Sequence, residues 1–275
     1  MDPNRIALYA AALPAGVAAV VLFVLRKPGG GRFALLAALA AGFLAGHVGL
    51  EGALATPPRE RWQWLPWIAL AGGAAGLIEA MTTSAPAGRS SPLRWGTRAA
   101  LAVFTAWACV LTKTPLWIGG VAAAVTLLGM VVAGAATRPT AATFIAAVTV
   151  VALATAVTLF VGETLRVATL CGALAAAAGA CLVLSRWFVV SPRAAIPLVA
   201  AMVAAFLLCG VLTANVPVTS AVLLAAAPLG AWIPDGASRR LTKPWHTFAV
   251  RIAAVSVLAG AAVAVAVSMS SPMEY

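Results

Sequence analysis

Charge is scarce. Asp, Glu, Lys and Arg make up 9% of the 275 residues, where an ordinary soluble domain carries roughly a quarter, so a water-soluble globular fold is excluded. The only aspartates are Asp2 at the terminus and Asp235 in a loop. Glycosyl or phosphoryl transfer through a metal-bound diphosphate therefore has no carboxylate pair to work with. Of the two histidines, His47 falls in the outer half of a span and His246 at the inner surface, so a bis-histidine haem is excluded as well. No G-x-S-x-G, H-E-x-x-H or phosphate loop is present. An enzyme is thus unsupported, and nothing calls for a metal or a cofactor. Cys109, Cys171, Cys181 and Cys209 lie inside apolar segments without C-x-x-C spacing, and they read as small packing residues.

What the chain has instead is apolar length: 63% hydrophobic residues and a mean hydropathy of +1.02. A net charge of +11 would suggest nucleic acid in a soluble protein. Here the basic residues separate long apolar runs, and no nucleic-acid partner is expected. In lipid every backbone N–H and C=O must be bonded within its own segment, which takes about 20 apolar residues per helix. Ten stretches qualify, near 5–25, 33–54, 64–83, 97–112, 115–136, 140–162, 166–185, 193–213, 217–233 and 247–268, the fourth and ninth being short. Runs such as AALAVFTAWACVL do not alternate, which excludes a β-barrel. The expected fold is all-α, one polytopic helical bundle over residues 1–275. Residues 113–114 and Arg138 leave room only for tight hairpins.

Basic residues divide unevenly between the two sides of that bundle. Thirteen fall on one side and five on the other. The positive-inside rule then predicts a cytoplasmic-membrane protein with both termini outside. Trp62, Trp64, Trp67 and Trp117 map to the outer boundary and Trp95, Trp187, Trp232 and Trp245 to the inner one, leaving Trp107 within a span. The first span, followed at once by Arg26 and Lys27, reads as an uncleaved anchor. The stretch RRLTKPWHTF, 239–248, mixes basic and aromatic residues in a pattern suited to anionic lipid headgroups.

Ionisable groups inside a span cost about 2.5 kcal/mol or more on insertion scales, so each is a candidate for function. Three qualify: His47, Glu51 and Glu79. His47 and Glu51 are one turn apart on the second span, where imidazole and carboxylate can pair. Gly42, Gly46 and Gly49 cluster on the opposite face, where another helix can approach closely, and this makes the second span the expected centre of the bundle. Gly72, Gly76 and Glu79 share a face of the third span. The three ionisable groups are staggered in depth, which suits a relay or lined pathway better than a metal site. Glu163 and Arg166, in VGETLR, read as an interfacial pair. Thr140, Thr143, Thr155 and Thr158 share a face of the sixth span, with Thr149 opposite, and are expected to bond back to the preceding turn. Pro14 and Pro228 interrupt their helices.

The expected role is a carrier-like permease for a small solute or lipid-like molecule, with protonation of His47 and Glu51 as the candidate coupling step. The alternative is a non-catalytic scaffold or accessory subunit whose Gly and Ala faces pack against partner helices. Both leave room for a second copy or a partner subunit, and both place the protein in the lipid bilayer.

Overall fold

The computed structural model describes residues 3–25, 31–82, 92–110, 116–136, 140–232 and 244–270. Among these residues the chain is all-α, with ten helices in sequence order. α1 runs through Pro3–Ala7, a π-helical turn Leu8–Ala12, and Leu13–Val24; α2 is Gly31–Glu51. α3 begins as the 3-10 turn Arg61–Trp64 and continues as Leu65–Thr82; α4 is Pro92–Val110, α5 Leu116–Ala136, α6 Ala141–Val161 and α7 Leu165–Leu184. α8 joins Arg193–Ala195 to Ile196–Thr213, α9 joins Val218–Ala226 to the 3-10 stretch Ala227–Trp232, and α10 is Pro244–Met269. The tight hairpins expected at 113–114 and 138, and the basic residues 239–243, lie outside the described residues.

Seven of the ten helices, α1, α2, α3, α6, α7, α8 and α10, are long and apolar enough to cross a bilayer. By length and composition among the described residues, seven of the ten expected spans are met in this way. α4 carries Arg94 and Arg98 in its first two turns, and the apolar parts of α5 and α9 are shorter, Ile118–Val131 and Val218–Ala231 among the described residues. The chain is a polytopic membrane protein, with side chains such as Val20, Leu128, Phe160 and Val257 facing outward as lipid contact requires.

Both interrupting prolines leave a local mark. A proline offers no N–H to the preceding turn and its ring needs room there. The wide π turn stands directly before Pro14, and α9 tightens to 3-10 geometry at Ala227, one residue before Pro228.

The largest buried cluster draws on α2, α3, α7 and α8, with Phe43 and Phe206 meeting edge to face at 6.1 Å. A second cluster joins α6, α9 and α10. The central helix is α8, buried over 78% of its span, whereas α2 is buried over 50% and α1 and α10 over 22%. The expectation that the second span is the centre is therefore corrected. α8 has no charge within Ile196–Thr213 and no glycine seam to mark it, and in lipid an apolar sequence alone does not separate an inner helix from an outer one.

Gly42 and Gly46 form the contact of α2 with α1 and α7. A Cβ on Gly42 would lie 2.7 Å from the Ala177 Cβ and 2.8 Å from the Pro14 carbonyl oxygen; on Gly46 it would lie 2.7 Å from the Ala173 Cβ and 2.8 Å from the Pro14 ring. Gly49 lies beneath the ring of Tyr9. Gly72 and Gly76 make the corresponding contact of α3 with α8, against Leu198 and the Ala194 carbonyl oxygen.

The threonines of α6 are satisfied within the helix. Thr149, Thr155 and Thr158 donate to the carbonyls of Ile145, Val151 and Ala154 at 2.9, 2.7 and 2.9 Å. Thr140 caps the helix by accepting from the Thr143 N–H at 3.2 Å. The Thr140 and Thr143 hydroxyls share a hydrogen bond at 2.8 Å, so each of these hydroxyls has a partner within the helix or its cap.

Candidate functional site

Glu51 ends α2, and the chain turns back through residues 52–60 into the 3-10 entry of α3. Gln63 fixes that entry, its Oε1 accepting from the Arg59 and Glu60 N–H groups at 2.6 and 3.1 Å. The Trp62 indole N–H donates to the Glu60 carboxylate, which holds the ring in place. Arg61 crosses to the end of α8 and donates to the Leu212 carbonyl at 2.9 Å. The turn between α6 and α7 closes the other side. Gly162 packs so tightly on the Ala214 carbonyl that a Cβ would come within 2.3 Å of it, which sets the start of α7 and hence Arg166.

These elements surround an open cavity of about 600 Å³, lined among others by Trp62, Glu163, Arg166 and Thr213. Arg166 is its organising side chain. Its Nε lies 3.1 Å from the Glu51 Oε1, and its guanidinium carbon sits 4.7 Å from the centre of the Trp62 ring. The guanidinium side chain is 52% exposed and the carboxylate it faces only 10%. The ion contact is not directed as a hydrogen bond, so Oε1 has no hydrogen-bond partner among the described residues.

This arrangement departs from two expectations. Glu51 faces Arg166 rather than His47, since a guanidinium carries a permanent charge and an imidazole does not. Arg166 and Glu163 line the same cavity without forming an ion pair, since Glu163 lies outside the helix in a left-handed conformation, φ 66°, where the spacing that brings helical neighbours together does not apply. His47 is buried on α2 one turn before Glu51. Its ring lies between Phe43 at 6.5 Å and Trp62 at 6.4 Å, and its Nδ1 has no hydrogen-bond partner among the described residues.

Glu79 does not belong to this group. α3 runs back along α2, bringing Gly76 against Leu36, so Glu79 sits at the opposite end of the bundle from His47. There both of its carboxylate oxygens accept from Arg98 of α4, Oε2 from Nη2 at 2.9 Å and Oε1 from Nε. Both side chains are buried. The sequence places Arg98 at the edge of a span beginning at 97. The helix starts at Pro92 instead, and that moves Arg98 inside it. Near this end a second open cavity of about 640 Å³ is lined by Gly31, Arg32 and Phe33 of α2, by Ala80 and Met81, and by Val189, Val190 and Ser191.

α3 lines both cavities, with Arg61 and Trp62 at one and Ala80 and Met81 at the other, while α2 lines only the second; Phe43, Leu39 and Leu35 of α2 are buried. Sequence reasoning missed Trp62, Arg98 and Arg166 as members of these sites. The signal available for Arg166 was its place in the first turn of α7. Comparison with known proteins finds no matching family model, no matching curated protein and no matching solved structure.

Proposed function

We propose that the chain is a carrier-like permease for a small solute or lipid-like molecule, with the Trp62 and Arg166 cavity as its outer vestibule and His47 as the coupling group. The observation that carries this reading is the buried imidazole packed against Trp62 of that vestibule, with an Nδ1 that has no hydrogen-bond partner among the described residues. Burying a polar nitrogen without a hydrogen bond costs roughly 1 to 3 kcal/mol, a cost that a purely structural aromatic would avoid. The packed residues between the cavities correspond to the closed state of a carrier. The scaffold reading needs Gly and Ala faces left open for a partner; Gly42, Gly46, Gly49, Gly72 and Gly76 are taken up by contacts within this chain, which leaves it positions such as Gly16, Gly73, Gly120, Gly172 and Gly260, where nothing lies within 4 Å of a Cβ.

The test is flux in reconstituted vesicles. Under an imposed pH gradient, with an internal pH dye as readout, the wild-type protein should pass protons faster than empty vesicles. His47→Ala should lower that rate at least about tenfold while keeping a monodisperse elution profile. Equal rates for wild type, variant and empty vesicles would favour the scaffold.

In this reading both termini lie outside a cytoplasmic membrane, and anionic headgroups contact its basic face. In a background lacking the four native cysteines, Arg59→Cys should react with an impermeant thiol reagent in intact cells. Val189→Cys, at a position 97% exposed, should react only after permeabilisation. The reverse pattern would invert the orientation and exchange the two cavities.

A further inference from the structure

The geometry points to an organic-cation site on Trp62 and Glu51, occupied in this structure by the chain's own Arg166 guanidinium. The ligand class is a compact cation with little hydration, guanidinium or quaternary ammonium. This deepens the permease reading by naming its substrate class, but the binding itself does not depend on transport.

Three observations carry it. An aromatic face beside a buried carboxylate is the pairing that recognises such cations, the ring through its quadrupole and the acid through charge. Arg166 already makes both contacts, at 4.7 Å from the ring centre and 3.1 Å from the carboxylate oxygen. The two halves of the site are fixed, with Glu51 on a packed helix and Trp62 tied to Glu60. The occupant, by contrast, is a long side chain, half exposed to an open cavity, and its charge contact leaves Glu51 Oε1 without a directed hydrogen bond. A free cation can therefore take the place of the guanidinium, which swings into the cavity.

The experiment measures binding of radiolabelled tetramethylammonium to the full chain in phosphatidylglycerol nanodiscs at constant ionic strength. Arg166→Gln, which removes the internal competitor, should bind about tenfold more tightly than wild type, a difference of about 1.4 kcal/mol. Adding Trp62→Leu or Glu51→Gln to that variant should reverse the gain. 3,3-Dimethylbutanol, the neutral isostere of choline, should compete at least about tenfold less well than choline. Arg166→Lys is the second variant, since it keeps the charge but loses the flat stacking surface, and it should fall between wild type and Arg166→Gln. Nanodiscs of phosphatidylcholine separate two sources of the same chemistry. Loss of tetramethylammonium binding there means that a choline headgroup occupies the site, and unchanged binding means a free solute. No gain in either Arg166 variant, equal competition by the neutral isostere, or a gain that survives Trp62→Leu would each overturn the proposal. Binding without flux would remove the permease and leave the site; flux without cation binding would do the reverse.

Discussion

Arg98→Leu should lower the stability of the folded protein by about 3 to 5 kcal/mol, the range for breaking a buried ion pair by removing one partner. Arg98 donates twice to Glu79, and the two side chains are 9% and 6% exposed, so little solvent can replace the lost contact. The pair also ties α3 to α4, the helix that carries both its arginines in its first two turns. Unfolding by a graded mole fraction of denaturing detergent gives the measurement. Glu79→Leu should cost a comparable amount, and the double variant should lose clearly less than the sum of the two, because no unpaired charge is then left behind. Single losses below about 1 kcal/mol would indicate that the pair is solvated, as surface pairs are, and that α4 is not packed as described.

The second large effect is steric. Gly76→Ala should destabilise the protein by about 3 kcal/mol, at the upper end for overpacking, because the new Cβ would stand 2.1 Å from the Ala194 carbonyl oxygen, a backbone atom at the start of α8. Gly73→Ala is the matched control on the same helix. Nothing lies within 4 Å of a Cβ there, so the substitution should be neutral or stabilise by up to about 1 kcal/mol through helix propensity. The two changes are chemically identical, so their difference isolates the contact of α3 with α8. Equal effects in the same unfolding assay would mean that the two helices do not approach this closely.

The sequence by itself determined the class of the protein and the order of its parts. Apolar length without alternation leaves only helices in a bilayer, and the ten helices follow the ten apolar stretches in order, seven of them long and apolar enough to span among the described residues. The candidates His47, Glu51 and Glu79 were visible because charge inside a span is conspicuous. So were Gly42, Gly46 and Gly49, because small residues at helical spacing mark a face that another backbone can approach.

Only the tertiary structure decided who meets whom. Glu51 pairs with Arg166 of α7, and Glu79 with an arginine 19 residues away on the next helix. Helical spacing offered each carboxylate a nearer partner or none. The centre of the bundle was equally hidden, since α8 owes its place to being surrounded and not to any residue that stands out. The physical reason is common to all three. A bilayer is as apolar as a protein core, so hydropathy fixes that a segment is buried but not whether lipid or protein buries it, and the pairing of charges follows from that second choice.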